Sequence, residues 1–227
     1  MDAIEEKIIW CFWFGGNMTK QRSSCLDEMK SAGNIKLINE INLSEFVLPN
    51  FPLHKGFEFL SSTHKSDYLR SYFMNFYGGG YSDIKKQTNS WLKNFETLKD
   101  GDFAGCGYPE ASPNDVARTA KTLPLLREYY KFIGCVAFIF KKRTDFTEEW
   151  YNKTQELMDE NLEVLKKNNG LYHPRATRYG AHQTSLSPRG YPFGWVSLLG
   201  EVYHPLTYKY QDQISKDLPK PIMRGYR

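Results

Sequence analysis

The first forty residues constrain the fold more than any other part of the chain. Residues 7–14 are apolar apart from Lys7 and end at Gly15 and Gly16, which predicts a fully buried strand. Residues 19–32 are compatible with a helix, and residues 34–40 alternate apolar and polar side chains as a second strand would. Strand, helix and strand in this order usually begin an open α/β sheet. The sequence therefore predicts the α/β class.

Later segments continue the alternation. In residues 63–77 the apolar side chains form one helical stripe, and Asp67 and Arg70 lie three apart on the opposite, polar side. Strands are predicted at residues 102–106 and 133–140, and a long helix at residues 147–167. Beyond residue 170 the chain is irregular and rich in turns. One domain over residues 1–215, followed by a tail or linker at residues 216–227, is the simplest organisation.

Composition narrows the class of partner. The net charge is +4, and beyond residue 170 eight Lys and Arg stand against three Asp and Glu. This mild excess suits a phosphate-bearing ligand, but it is too dispersed to indicate nucleic acid. The sequence shows no 18-residue apolar run and no basic-then-apolar leader, so we expect no membrane span and a cytoplasmic location. The four cysteines lack any CxxC spacing, which favours reduced thiols.

The most informative motif is the run Tyr-Gly-Gly-Gly-Tyr-Ser-Asp-Ile-Lys at residues 77–85. Consecutive glycines let a backbone turn sharply and approach a ligand without a Cβ clash. The run follows the predicted helix and places Asp83 at the tip of a short strand. A helix, a glycine turn and an exposed acid predict a site for a charged small molecule.

Together these blocks resemble the sugar-nucleotide-dependent glycosyltransferases of the GT-A fold. The similarity is to the DXD sugar-binding group, which includes family 32 transferases of the mannosyl- and capsular-polysaccharide type. It rests on Phe-Trp-Phe-Gly-Gly at residues 12–16, Ser-Asp-Tyr-Leu-Arg at residues 66–70 and the glycine run, with weaker echoes at residues 191–195 and 201–205. It implies a Rossmann-like mixed central β-sheet flanked by helices. It also implies hexosyl transfer from a nucleoside-diphosphate sugar, UDP-linked, to a glycan or glycoprotein acceptor.

The resemblance also assigns roles to residues. Trp13 would stack on the nucleobase, Asp67 and Arg70 would orient the donor sugar and phosphate, and Asp83 would join them as a catalytic residue. The full set implied to contact the nucleotide sugar is Phe12, Trp13, Phe14, Asp67, Arg70, Gly79, Gly80, Tyr81, Ser82, Asp83 and Lys85.

One position departs from the family pattern. Where the group has its second metal-binding aspartate, this chain has Lys85. The resemblance implies a divalent metal, Mn²⁺ or Mg²⁺, held by Asp83 with His204 as a further ligand. Two alternatives stay open: one carboxylate and a histidine hold the metal, or Lys85 itself neutralises diphosphate charge as a point cation.

Other roles are open as well. Glu110 or Asp102 could act as general base on the acceptor if the reaction inverts configuration, whereas retention, towards which the family 32 resemblance leans, needs no such base. Candidates for a loop that closes over the diphosphate are Arg175, Arg178 and Arg189, and His182 in the same basic segment is a candidate for a catalytic or phosphate-binding role. Three other readings compete: a non-catalytic sugar-nucleotide or glycan-binding module with a degraded metal site, one part of a longer multidomain chain, or an unrelated phosphate-binding α/β protein.

Overall fold

The structure, a computed structural model, describes residues 2–170 and 190–225. Strands and helices alternate through the first half of the chain. The strands are β1 (Ile8–Phe12), β2 (Asn34–Ile38), β3 (Gly79–Ser82), β4 (Gly105–Pro109), β5 (Ile133–Phe140) and β6 (Ile214–Ser215). The helices are α1 (Lys20–Glu28), α2 (Ser62–Phe76), α3 (Leu92–Asp100), α4 (Asp145–Lys167) and α5 (Gly200–Lys209).

The strands of the described residues form one mixed sheet in the order β2-β1-β3-β5-β4-β6. β1 pairs in parallel with both β2 and β3, and β4 pairs in parallel with β6. β5 is antiparallel to its two neighbours, β3 and β4. The predicted α/β class, with a mixed central sheet flanked by helices, is confirmed, whereas the assignment to the GT-A fold stays a prediction.

Both faces of the sheet are covered by helices. Alternate residues of β1 point to opposite faces, as the strand period requires. Ile8, Trp10 and Phe12 join a core cluster with residues of α2, α4 and α5, whereas Ile9 and Cys11 pack with residues of α3 and α1. Burial on both faces explains why β1 reads as a continuous apolar run.

The strand order creates a crevice at one edge. β2 lies on one side of β1 and β3 on the other, and the helices that precede β2 and β3 pack on opposite faces. Ligands of open α/β sheets bind outside the carboxyl ends of the strands where the order reverses in this way. Because β4 and β3 are both antiparallel to β5, β4 ends at the same edge as β1 and β3.

Four parts of the fold differ from the sequence prediction. α3, α5 and β6 were not predicted, and β4 begins at Gly105, three residues later than expected. Within residues 216–225, Leu218 is buried and its amide donates to the carbonyl of Gly107; the proposed boundary at residue 216 stays a prediction. Among the described helices, none is both long and apolar enough to cross a membrane.

Candidate functional site

Three of the residues singled out from the sequence directly follow strands that end at the same edge of the sheet. Trp13 follows β1, Asp83 follows β3 and Glu110 follows β4. All three therefore lie around the crevice where the strand order reverses. Asp102 precedes β4, so it lies at the opposite edge, where it is exposed. Its predicted role on the acceptor is not supported by this position.

Asp83 is the centre of a charged cluster that also contains Asp67, Arg70 and Lys85. Arg70 Nη2 donates to Asp83 Oδ1 at 3.0 Å and lies 3.5 Å from Asp67 Oδ1. The Lys85 ammonium donates to Asp83 Oδ2, and the Tyr81 hydroxyl donates to Asp83 Oδ1 at 2.8 Å. Both oxygens of the Asp83 carboxylate are thus bonded to cations.

The polar side of α2 is buried. Asp67 is 3% exposed and Arg70 is 7% exposed. The Arg70 guanidinium lies over the Tyr81 ring at 4.4 Å, and its Nη1 donates to the Cys135 carbonyl at 3.1 Å. α2 therefore packs this side against the ends of β3 and β5, because the pairing of opposite charges offsets the cost of desolvating them.

The two carboxylates of the cluster have different proton affinities. For Asp83, burial raises the pKa, but the Lys85 and Arg70 cations outweigh it and leave the pKa at about 2. For Asp67, burial raises the pKa to about 7, because the attraction of Arg70 offsets only part of the desolvation. Asp83 is therefore a fixed anion at neutral pH, whereas Asp67 can exchange a proton there.

Trp13 lies at the end of β1 with its ring only partly buried. Its indole N–H donates to the Gly16 carbonyl at 2.6 Å, which fixes the ring orientation. The Arg22 guanidinium, from α1, lies 5.6 Å from the ring centroid and donates to the Ile84 carbonyl at 2.7 Å. Arg22 thus connects Trp13 to the segment of Asp83 and Lys85. Sequence reasoning missed Arg22, since nothing in its local pattern indicates this contact.

Other residues of the predicted donor set have packing roles. Phe12 packs its ring against Phe73 and Tyr81, and Phe14 packs against Phe57. Both phenylalanines belong to the largest hydrophobic core cluster of the described residues, so their rings have packing roles there. The Ser82 hydroxyl donates to the Asp83 carbonyl and accepts a hydrogen bond from Gln87.

The glycines of the run are required by the protein itself. Gly79 has φ +90°, and a Cβ there would lie 2.8 Å from the Ala3 Cβ and 2.9 Å from the Ile8 carbonyl oxygen. At Gly80 a Cβ would lie 3.2 Å from atoms of Ile9 and Trp91. The expectation that these glycines make room for a ligand is therefore corrected: neighbouring protein atoms occupy that space.

His204 is paired with Glu110 rather than with Asp83. The Ala117 amide donates to His204 Nδ1 at 2.9 Å, so a neutral ring carries its proton on Nε2. Nε2 lies 3.3 Å from Glu110 Oε1 but makes no hydrogen bond to it, and both side chains are buried. Neither ring nitrogen offers a free lone pair, so the predicted metal-ligand role of His204 is not supported by its contacts.

The residues at this edge do not fit a divalent cation. Mg²⁺ and Mn²⁺ favour oxygen ligands with available lone pairs. The oxygens of Asp83 are bonded to Lys85 and Arg70, and His204 is occupied as described. Across residues 2–170 and 190–225, no group of three His, Cys, Asp or Glu is placed to hold a metal ion. Four basic residues considered from the sequence lie outside the described residues: Arg175, Arg178, His182 and Arg189.

Two comparisons with known proteins found similarities. Residues 2–98 match the model of a family described as capsular polysaccharide synthesis protein. This segment contains Trp13 and all four residues of the charged cluster. A solved structure titled PaToxG Glycosyltransferase is similar at 16% sequence identity and a TM-score of 0.43, over 89% of this chain and 68% of that chain. No curated protein matches the sequence.

Proposed function

We propose that this protein is a glycosyltransferase that moves a sugar from a nucleoside-diphosphate sugar, with UDP as the nucleotide, to a glycan or glycoprotein acceptor. The observation that carries the proposal is the placement of Trp13 and the charged cluster on adjacent parallel strand ends. An aromatic ring and a pair of cations stand at the crevice where an open α/β sheet binds ligands. The family match supports a place in polysaccharide biosynthesis.

The chemistry of the reaction matches the charges at this edge. When the glycosidic bond of the donor breaks, negative charge accumulates on the departing diphosphate. Fixed cations that face this charge stabilise the transition state more than the ground state. Arg70 and Lys85 are held in place by Asp83, so little reorganisation is needed when the charge develops. Asp67, next to Arg70, would accept hydrogen bonds from sugar hydroxyls in this proposal.

Trp13 would hold the nucleobase. Its ring is fixed by the hydrogen bond to Gly16 and has Arg22 on one side. A nucleobase stacked on this ring gains roughly 1–3 kcal/mol, a value measured for bases on aromatic side chains. Arg22 lies against the Trp13 ring and donates to the carbonyl of Ile84, so one side chain connects the proposed base site with the segment that carries Asp83 and Lys85.

Calorimetric titration with UDP, GDP, CMP and their sugar conjugates tests the proposal, together with an assay for release of the free nucleotide from each conjugate. We expect one nucleotide to bind and its sugar conjugate to be turned over. Asp83→Asn should lower turnover on the order of a hundredfold, and the exposed Asp100→Asn is the matched control.

The outcomes separate the competing functions. Binding of the conjugate without turnover, unchanged by Asp83→Asn, would favour a binding module. Equal affinity for a nucleotide with and without its sugar would favour a general phosphate-binding protein. If no nucleotide binds, the glycosyltransferase proposal is wrong.

A further inference from the structure

The Asp83 carboxylate is already neutralised by side chains of the chain itself. Oδ2 accepts from the Lys85 ammonium, and Oδ1 accepts from both Arg70 and Tyr81. A metal ion that used either oxygen would have to displace a cation or share the carboxylate with it. The competition is direct because the Lys85 ammonium contacts Asp83 Oδ2.

The charge balance of the cluster also opposes a metal. Two carboxylates, Asp67 and Asp83, face two cations, Arg70 and Lys85. A site that attracts a divalent cation carries an excess of negative charge, and this cluster carries none. A further positive ion would meet two like charges a few ångströms away, in a buried setting where screening is weak.

Lys85 is held in this position by its surroundings. Its side chain is 5% exposed, and the amide of Asp83 donates to the Val136 carbonyl, which ties the segment to β5. The Gln87 side-chain amide donates to the Lys85 carbonyl and to the Ser82 hydroxyl, which closes the turn that follows β3. Lys85 is therefore a buried residue of the site, and hydrogen bonds fix the segment that carries it.

We propose that Lys85 takes the place of a divalent metal in this protein, so that a nucleoside diphosphate binds through Lys85 and Arg70 without any metal ion. This inference rests on the proposed function for the nature of the ligand. Lys85 shares its ammonium protons between Asp83 and a phosphate oxygen when the diphosphate is bound. Asp83 then positions the two cations and is not a metal ligand.

The first test is calorimetric titration of the wild-type chain with UDP and with GDP, in a chelator and then in Mn²⁺. We expect the same dissociation constant in both conditions. Lys85→Met should weaken binding by at least about tenfold. Lys86→Met, which removes the neighbouring lysine paired with Glu28 on the surface, should leave it within about twofold. Binding that the chelator abolishes in the wild-type chain would overturn the proposal.

The second test does not depend on any nucleotide. Mn²⁺ alone is titrated into the wild-type chain and into Lys85→Asp, and bound Mn²⁺ is counted by electron paramagnetic resonance, with thermal unfolding to check that the variant is folded. We expect no stoichiometric Mn²⁺ binding by the wild-type chain and a gain of binding in Lys85→Asp. Stoichiometric binding by the wild-type chain, reduced by Asp83→Asn, would overturn the proposal.

The two tests distinguish failure of the proposed function from failure of the role proposed for Lys85. If no nucleoside diphosphate binds in either condition, the proposed function is wrong, while the Mn²⁺ titration still decides whether Lys85 excludes a metal. If UDP binds only with Mn²⁺, the proposed function stands and the role given to Lys85 is wrong.

Discussion

The Asp83 carboxylate should stabilise the folded protein, and this contribution should disappear in acid. Lys85 and Arg70 outweigh the effect of burial and lower the pKa of Asp83 from 3.8 to about 2. A difference of this size between the unfolded and folded states corresponds to about 2 kcal/mol of unfolding free energy. Because the folded-state pKa is the lower one, the contribution is complete well above pH 3.8 and is lost as the pH falls towards 2. About half of it should be gone at about pH 3.

Asp83→Asn tests this value. At neutral pH the substitution leaves Lys85 and Arg70 without their shared anion, and we expect a loss of about 3 kcal/mol of unfolding free energy. The difference between wild type and variant should narrow by about 1 kcal/mol between about pH 6 and about pH 3. Urea unfolding followed by tryptophan fluorescence measures both quantities. Asp100→Asn, at the exposed end of α3, controls for the loss of a carboxylate as such.

A double-mutant cycle that combines Asp83→Asn with Lys85→Met measures the coupling free energy of the Asp83–Lys85 ion pair. When both charged groups are removed, neither is left buried alone, so the double variant should lose less stability than the sum of the two single losses. A coupling of about 1 kcal/mol or more is expected for a contact of this kind. The reasoning is refuted if the difference between wild type and Asp83→Asn does not change with pH, or if the two losses simply add.

Three further predictions concern the same edge and its support. Burial raises the pKa of Asp67 to about 7, so the folded state binds this proton more tightly than the unfolded state. The unfolding free energy should therefore fall as the pH rises from about 4 to about 7. Asp67→Asn should remove this pH dependence from melting temperatures measured across that range. Trp13→Ala should weaken UDP binding about tenfold in calorimetry, whereas Trp195→Ala, 40% exposed, should not. Gly79→Ala should cost about 3 kcal/mol in urea unfolding, because its Cβ would lie 2.9 Å from a main-chain oxygen of β1. Gly16→Ala, with a similar φ of +95° and nothing within 4 Å, should cost only about 1–2 kcal/mol.

The strands and helices with strong local patterns were predictable from the sequence. β5 has the predicted bounds, and α4 ends at Lys167 as predicted. In β5 a dense run of β-branched and aromatic residues coincides with burial, and at the end of α4 the Asn-Asn-Gly sequence stops the helix. In both cases the local preference and the tertiary environment agree, so the sequence alone is sufficient to predict where the element lies.

The elements that were missed depend on tertiary packing or on a weaker signal. α5 contains Pro205, which argues against a helix, yet Tyr203 packs on Trp150 and holds it in place. β4 begins at Gly105, although glycine has a low strand propensity. A glycine is needed at this position because a Cβ would lie 2.1 Å from the Phe140 ring. α3 could have been found, since Phe95 and Leu98 have helical spacing after a serine.

The site was predictable as a set of residues but not as a network. The motifs placed Asp67, Arg70, Asp83 and Lys85 near one another in the sequence, and the structure joins them through contacts that no local pattern contains. A helical pattern alone gives Asp67 and Arg70 a solvated face, because it carries no information about what packs against the helix.

The same network connects stability with the proposed activity. Asp83 holds Arg70 and Lys85 where a departing diphosphate would need positive charge, and the two cations in turn keep Asp83 ionised inside the protein. A substitution that opens this edge to a metal, such as Lys85→Asp, must therefore remove part of the balance that holds α2 against β3. We expect any gain in metal affinity to come with a lower unfolding free energy, because the introduced carboxylate would join Asp67 and Asp83 around the single cation Arg70. A Lys85→Asp variant that bound Mn²⁺ tightly and was as stable without the metal as the wild type would show that the pairing of Lys85 with Asp83 is not what organises this edge.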